Sequence, residues 1–137
     1  MSRLYSETHK EGKRNQRLLH KPLEKYFREE LIETPEEDSF DFEGLTFWLE
    51  LKSRHERYRS DDKYADQGWW VGVPKLTACK KSQREVYFIY YFPSDGTVWL
   101  LKYDEKLFSS FKPFPNAQGQ PTIAIPKTFW RRIELDL

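Results

Sequence analysis

Residues 39–52 read SFDFEGLTFWLELK, and this stretch decides the fold. Leu45, Phe47, Leu49 and Leu51 alternate with Thr46, Trp48, Glu50 and Lys52, the period-two signature of a strand with one apolar face. The other face ends in Glu50 and Lys52, whose backbones such a strand holds roughly 6.5–7 Å apart. Upstream, Ser39 to Glu43 reads as a second strand, and Gly44 marks the connection. A two-residue turn at Gly44-Leu45 sets Asp41 opposite Trp48 and Ser39 opposite Glu50. Asp41 is then diagonal to Glu50 on the same face, and a slip of one residue would carry it to the other face.

Outward from this hairpin, Leu19, Leu23, Tyr26 and Phe27 recur at helical spacing and predict an amphipathic helix ending before Thr34-Pro35. Pro22 suits that helix's first turn, so the regular part is expected to start there. After a charged loop, a short helix is expected from about Pro74. Glu85 to Phe92 reads as a buried central strand, Ser94-Asp95-Gly96 as a hairpin turn and Thr97 to Tyr103 as the returning strand. Asp104 to Phe111 is expected to be helical, Pro113 to Pro121 a loop, Thr122 to Ile125 a short strand and Pro126 to Ile133 a last helix. With 137 residues and no linker or repeat, the chain is read as one domain, 1–137, of α/β class with helices packed on a mixed sheet.

Composition removes several function classes. Lys plus Arg total 23 against 22 Asp plus Glu, too balanced for a wholly basic nucleic-acid coat. No apolar run reaches the length of a membrane span, and the first residues lack the apolar core of a signal peptide, so a cytoplasmic protein is expected without a membrane partner. The lone Cys79 excludes a disulfide framework and a cysteine zinc cluster. His9, His20 and His55 lack metal spacing, and no Gly-rich phosphate loop occurs. Aromatic residues make up 17% of the chain, so rings must build much of the core. Trp69-Trp70 with Tyr64 could instead stack on unpaired bases, though core positions suit them better.

The charges are sorted by sign. Seven cations lie between Lys10 and Arg28, and nine carboxylates between Glu29 and Glu50 with no cation among them. Such runs are ordinarily solvated faces. The sharper reading is an acidic metal-binding centre flanked by phosphate-binding cations. Two strand-borne carboxylates supply hard oxygen ligands of the kind Mg²⁺ takes, and a nearby lysine can orient or help deprotonate an attacking water.

Asp41, nine residues, then Glu50-Leu51-Lys52 resembles the PD-(D/E)XK nuclease superfamily of restriction enzymes, phage exonucleases and Holliday-junction resolvases. The similarity runs from about Leu18 to Tyr103, with Phe40 where the motif has Pro. It implies a restriction-endonuclease-like α-β-β-β-α-β core and Mg²⁺ (Mn²⁺ substituting) held by Asp41, Glu50 and the Leu51 carbonyl, with Lys52 beside the water. It also implies a Glu on the first helix near the metal, Glu24 first and Glu30 second. Further on it implies basic contacts to DNA from Arg54 and Arg57, and a polar residue on the next helix, Lys75 before Gln67. The expected activity is Mg²⁺-dependent endonucleolytic hydrolysis of DNA, commonly by a homodimer, and so small a catalytic domain suits a phage, a virus or a mobile element. The rival readings are a member of the same fold that binds nucleic acid or protein without cleaving, and an aromatic-rich sugar-binding β-domain.

Overall fold

The computed structural model describes residues 3–54, 58–61 and 69–137, with side chains from Lys10 onward. Helix α1 (Arg3–Phe27) leads into β1 (Ile32–Glu33), β2 (Phe42–Glu43) and β3 (Phe47–Ser53). Then come β4 (Trp69–Gly72), α2 (Val73–Lys81), β5 (Glu85–Phe92) and β6 (Thr97–Lys102). The chain closes with α3 (Glu105–Ser109), β7 (Phe114–Pro115), β8 (Pro121–Ile125), a 3-10 turn at Lys127–Phe129 and β9 (Arg131–Ile133). Six strands form one mixed sheet in the order β1-β2-β3-β5-β6-β9. Only β3 and β5 run parallel, which requires the crossover that β4 and α2 provide. A second sheet, β4-β8-β7, is antiparallel and small.

Alternation along β3 and β5 divides the aromatic-rich interior into two cores. Phe47 and Leu49 of β3, with Ile89 and Tyr91 of β5, pack against Leu19 and Leu23 of α1, both 0% exposed. On the opposite face Val86, Phe88, Tyr90 and Phe92 meet Trp69 and Val71 of β4, Ile123 and Ile125 of β8, Phe108 of α3 and Trp130. Trp69 is a hub there, with ring centroids within 5.5 Å of Tyr90, Phe92, Trp99 and Trp130. The layers are therefore α1, the large sheet, and the small sheet with α2 and α3.

Several boundaries differ from expectation. Helix α1 runs straight through Pro22, since burial of Leu19 and Leu23 on either side outweighs the roughly 3 kcal/mol that an interior proline costs. It ends at Phe27, where Arg28 takes a left-handed φ of 57° and Glu29 N donates to Glu24 O, a Schellman-type closure made without glycine. The expected last helix is instead the 3-10 turn followed by β9, which completes the large sheet beside β6. Strand β1 falls where the first helix was expected to continue and β7 within the expected loop Pro113 to Pro121, while β4 and the second sheet had no expectation. Helix α2 carries Pro74 in its first turn as expected, and Asp104 caps α3 by accepting from Lys106 N and Leu107 N.

Candidate metal centre and cleft

The site grows from the register between β2 and β3. Phe42 pairs with Leu49 and Glu43 with Trp48, and Gly44 N donates to Phe47 O at 2.9 Å. The turn thus lies at Leu45-Thr46, two residues from the expected register, and the regular pairing ends at Phe42 and Leu49. A shift of two alone would preserve the side-chain parity, but Asp41 leaves the regular ladder, its N–H turning to Leu49 O while its carboxylate stays beside Glu50. Gly44 is needed for close approach here: a Cβ would stand 2.5 Å from Glu29 Oε1 and 3.1 Å from the Phe47 ring. Glu29 Oε1 accepts from Leu45 N at 2.6 Å, and Arg84 Nη1 donates to Glu43 Oε2 at 2.7 Å and to Gly44 O at 3.1 Å, clamping the hairpin from both sides.

Strand β2 stops at Phe42, and Asp41 continues its edge with a side chain. Asp41 N donates to Leu49 O at 2.9 Å, and Asp41 Oδ2 accepts from Leu51 N at 2.7 Å. Because a strand residue's N–H and C=O point to the same edge, the Leu51 carbonyl also faces this edge beside Asp41. Glu50 lies in hydrogen-bonding reach of the Asp41 carboxylate. Its Oε2 is 3.1 Å from Lys75 Nζ, and its Oε1 is buried without a partner. Burial first, and then the Asp41 charge, push the Glu50 carboxyl up to about 8 against the opposing pull of Lys75. Lys75 reaches from α2, donates also to Ser39 O and lies 5.6 Å from the Phe40 ring centroid.

Lys52 stands at the rim. Crowding by protein atoms, and then the Arg54 charge, lower its pKa against the attraction of Glu50 and Asp41. Arg54 N donates to Tyr91 O at 3.0 Å, while the Arg54 guanidinium lies near the Tyr90 hydroxyl and sits 4.6 Å from the Tyr58 ring centroid. Glu50, Lys52, Arg54 and Lys75 line one side of a cleft of about 370 Å³ between the two sheets. Asp41 and Leu51 open instead toward a cleft under α1 with Lys13 and Gln16. That cleft shares Lys13, Gln16, Thr34 and Glu36 with a further groove containing Lys10, Arg14 and Arg17.

The structure therefore brings Asp41, Glu50, Leu51, Lys52, Arg54 and Lys75 together. Glu24 is not among them. Its Oε2 accepts from Leu31 N at 2.9 Å while His20 Nε2 donates to Leu31 O at 2.6 Å, so the pair ties α1 to β1. Glu30 is exposed. The α1 residues that face the Asp41 side are Lys13 and Gln16, two to three turns earlier, and an uncharged Gln16 carried no signal of chemistry. Arg57, Gln67 and Tyr64 lie outside the described residues. Most of the acidic run is spent elsewhere, with Glu29 and Glu43 holding the hairpin, and among the described residues no three His, Cys, Asp or Glu side chains converge as a metal cluster. Cys79, buried near Glu50, has its thiol pushed up to about 12 and is inert as a nucleophile. Among the described residues no helix is long and apolar enough to cross a membrane. The chain matches no protein-family model, and no curated protein or solved structure is significantly similar to it.

Proposed function

We propose that this chain is a Mg²⁺-dependent endodeoxyribonuclease with a restriction-endonuclease-like core. The observation that carries the reading is the Asp41–Glu50 pair: two carboxylates in mutual reach, one with a buried, unpartnered oxygen, and Lys52 two residues beyond. Like charges held this close are costly in a metal-free protein, and a divalent cation relieves that cost. The donor set fits a hard cation: Asp41, Glu50 and the Leu51 carbonyl supply oxygens only. The order α1-β1-β2-β3-β4-α2-β5, with β4 set aside in the small sheet and β3 and β5 parallel, supports the α-β-β-β-α-β core.

Bound there, Mg²⁺ would acidify a water and neutralise charge on the scissile phosphate. The chain's own groups supply the rest. Lys52, with its lowered pKa, is suited to hold the attacking water and to exchange a proton with it. Arg54 sits beside it with a fixed positive charge for an adjacent phosphate. The exposed α1 cations Lys10, Arg14 and Arg17 border the groove that adjoins Asp41, a path along which a phosphate backbone can run. Cytoplasmic action on DNA as a homodimer belongs to the same proposal.

One observation favours a second reading. Lys75 Nζ already sits 3.1 Å from Glu50 Oε2, so an ammonium occupies part of the space a cation would use. In a non-cleaving DNA- or protein-binding member of the fold that ion pair would be permanent. The deciding assay offers plasmid, single-stranded and four-way-junction DNA with Mg²⁺ or Mn²⁺ to the wild type, Glu50→Ala and Lys52→Ala. Metal-dependent cleavage that falls at least a hundredfold in both variants is expected. Cleavage that survives both substitutions refutes the site, and no cleavage of any substrate favours the Lys75-filled reading.

A further inference from the structure

The cleft that holds Glu50, Lys52 and Arg54 has a second wall, and that wall has no role in the chemistry above. It comes from the small sheet. Alternation along β4 buries Trp69 and Val71 and turns Trp70 and Gly72 outward. Trp70 lines the cleft with 43% of its surface exposed. Its indole is held edge-on by Phe114 at 5.4 Å and 73°, and its carbonyl accepts from the Tyr90 hydroxyl at 3.3 Å. Tyr90 belongs to β5, beside β3, so this bond ties the two walls together beneath the cleft, with Arg54 close by.

Beside Trp70 stand two amide side chains. The loop between β7 and β8 closes with Asn116 N donating to Gln120 O and Gly119 N donating to Asn116 O, both at 2.9 Å, and Gly119 takes a φ of 78° that suits glycine. Asn116 Oδ1 accepts from Gln118 N and Gln120 N at 3.0 and 2.9 Å, which leaves its amide N–H groups as donors. The Gln120 side-chain amide makes no hydrogen bond among the described residues. Both residues line the cleft.

We infer that this wall is a subsite for one unpaired nucleobase of a DNA strand, placed next to the phosphate that Lys52 and Arg54 face. An exposed indole offers a stacking surface, free amides offer donors and an acceptor for a base edge, and the facing cations offer charge for the attached phosphate. A paired base cannot use the indole, because its faces are covered by its neighbours in the duplex. A neutral sugar would use the indole and the amides but bring no anion for Lys52 and Arg54. The volume of about 370 Å³ is at the small end of ligand pockets, suited to one nucleotide rather than a helix. This inference rests on the DNA reading and deepens it, making the preferred substrate single-stranded or locally unpaired.

The test is equilibrium binding without metal, so that it stands apart from cleavage. Fluorescein-labelled oligo-dT and a blunt hairpin duplex are titrated in EDTA with wild type, Trp70→Ala, Trp70→Phe and Gln120→Ala, each first checked for a native thermal transition. Trp70→Ala is expected to weaken oligo-dT binding about tenfold, the worth of one stacked base, and duplex binding less than twofold. Trp70→Phe should keep most of the affinity, and Gln120→Ala should lose about threefold on oligo-dT alone. Equal losses on both probes, or no loss in Trp70→Ala, overturn the subsite even if the protein cleaves DNA. A selective loss in a protein that cleaves nothing upholds the subsite and removes the nuclease reading. Thymidine 5′-monophosphate binding as tightly as the oligonucleotide would overturn the strand as ligand.

Discussion

The Asp41 carboxylate meets that of Glu50 just past the end of the β2–β3 pair, and its Oδ2 is anchored on the N–H of Leu51, the residue after Glu50. The anchor fixes one carboxylate against the other. Burial first, and then the adjacent Asp41 charge, favour protonated Glu50 in the metal-free protein, which is why its carboxyl rises to about 8.

Stability should report this directly. The folded pKa of Glu50 lies above the unfolded value of 4.5, so its contribution is complete below about pH 4.5 and is lost as pH rises through about 8. In EDTA the wild type should lose up to a few kcal/mol across that window. Glu50→Gln should flatten the loss, and Mg²⁺ at several millimolar should reduce it in the wild type only. Urea midpoints from pH 5 to 9 are the measurement. Parallel curves for wild type and Glu50→Gln would show that the Glu50 carboxyl is not raised in the folded protein.

Lys75 competes with any cation at Glu50. Removing it in Lys75→Ala frees Glu50 Oε2 and deletes a positive charge 3.1 Å away. The expected result is tighter Mn²⁺ binding, by about threefold to tenfold, measured by calorimetry or by the Mn²⁺ EPR signal. Weaker Mn²⁺ binding in that variant would mean that Lys75 shapes the carboxylate for the metal instead of competing with it.

What was legible in the residues followed from parity and from local composition. Val86 to Phe92 is β-branched and aromatic throughout, and the expected strand Glu85 to Phe92 is β5, residue for residue. The proximity of Asp41 to Glu50 was legible, but not how it arises: Asp41 lines the α1 cleft with Leu51 and Glu50 the cleft between the sheets, and the carboxylates meet past the end of the ladder. The register itself was not legible. Gly44 has the look of a turn residue, yet its missing Cβ serves the close approach of Glu29 and Phe47, and the turn falls one residue later. The small sheet joins Trp69 to Ile125 across 56 positions of chain, a pairing that no local pattern announces. Glu24 was misplaced because an acidic residue on a helix says nothing of its partner, here the backbone of Leu31.

Gly44→Ala tests that close approach. The added methyl must displace Glu29 Oε1 from Leu45 N and press on the buried Phe47 ring. A loss of about 1–2 kcal/mol is expected, from one hydrogen bond and local overpacking. Glu29→Ala alone should cost less, since it removes the bond without crowding Phe47. Chemical denaturation of both variants measures the difference, and a neutral Gly44→Ala would indicate that the hairpin has room the structure does not allow.

Trp69 and Trp70 are adjacent in sequence and opposite in role. Trp69 packs against four aromatic rings in the core between the sheets, so Trp69→Ala should cost about 3–5 kcal/mol, a large part of a small domain's stability. Trp70 touches Phe114 at the cleft wall and is otherwise open, so Trp70→Ala should cost about 1 kcal/mol or less. Thermal melts of the two variants under one condition check the contrast. Comparable losses would place both rings in the core and remove the physical basis for a stacking surface in the cleft, because a ring that the fold needs as packing is not free to receive a base.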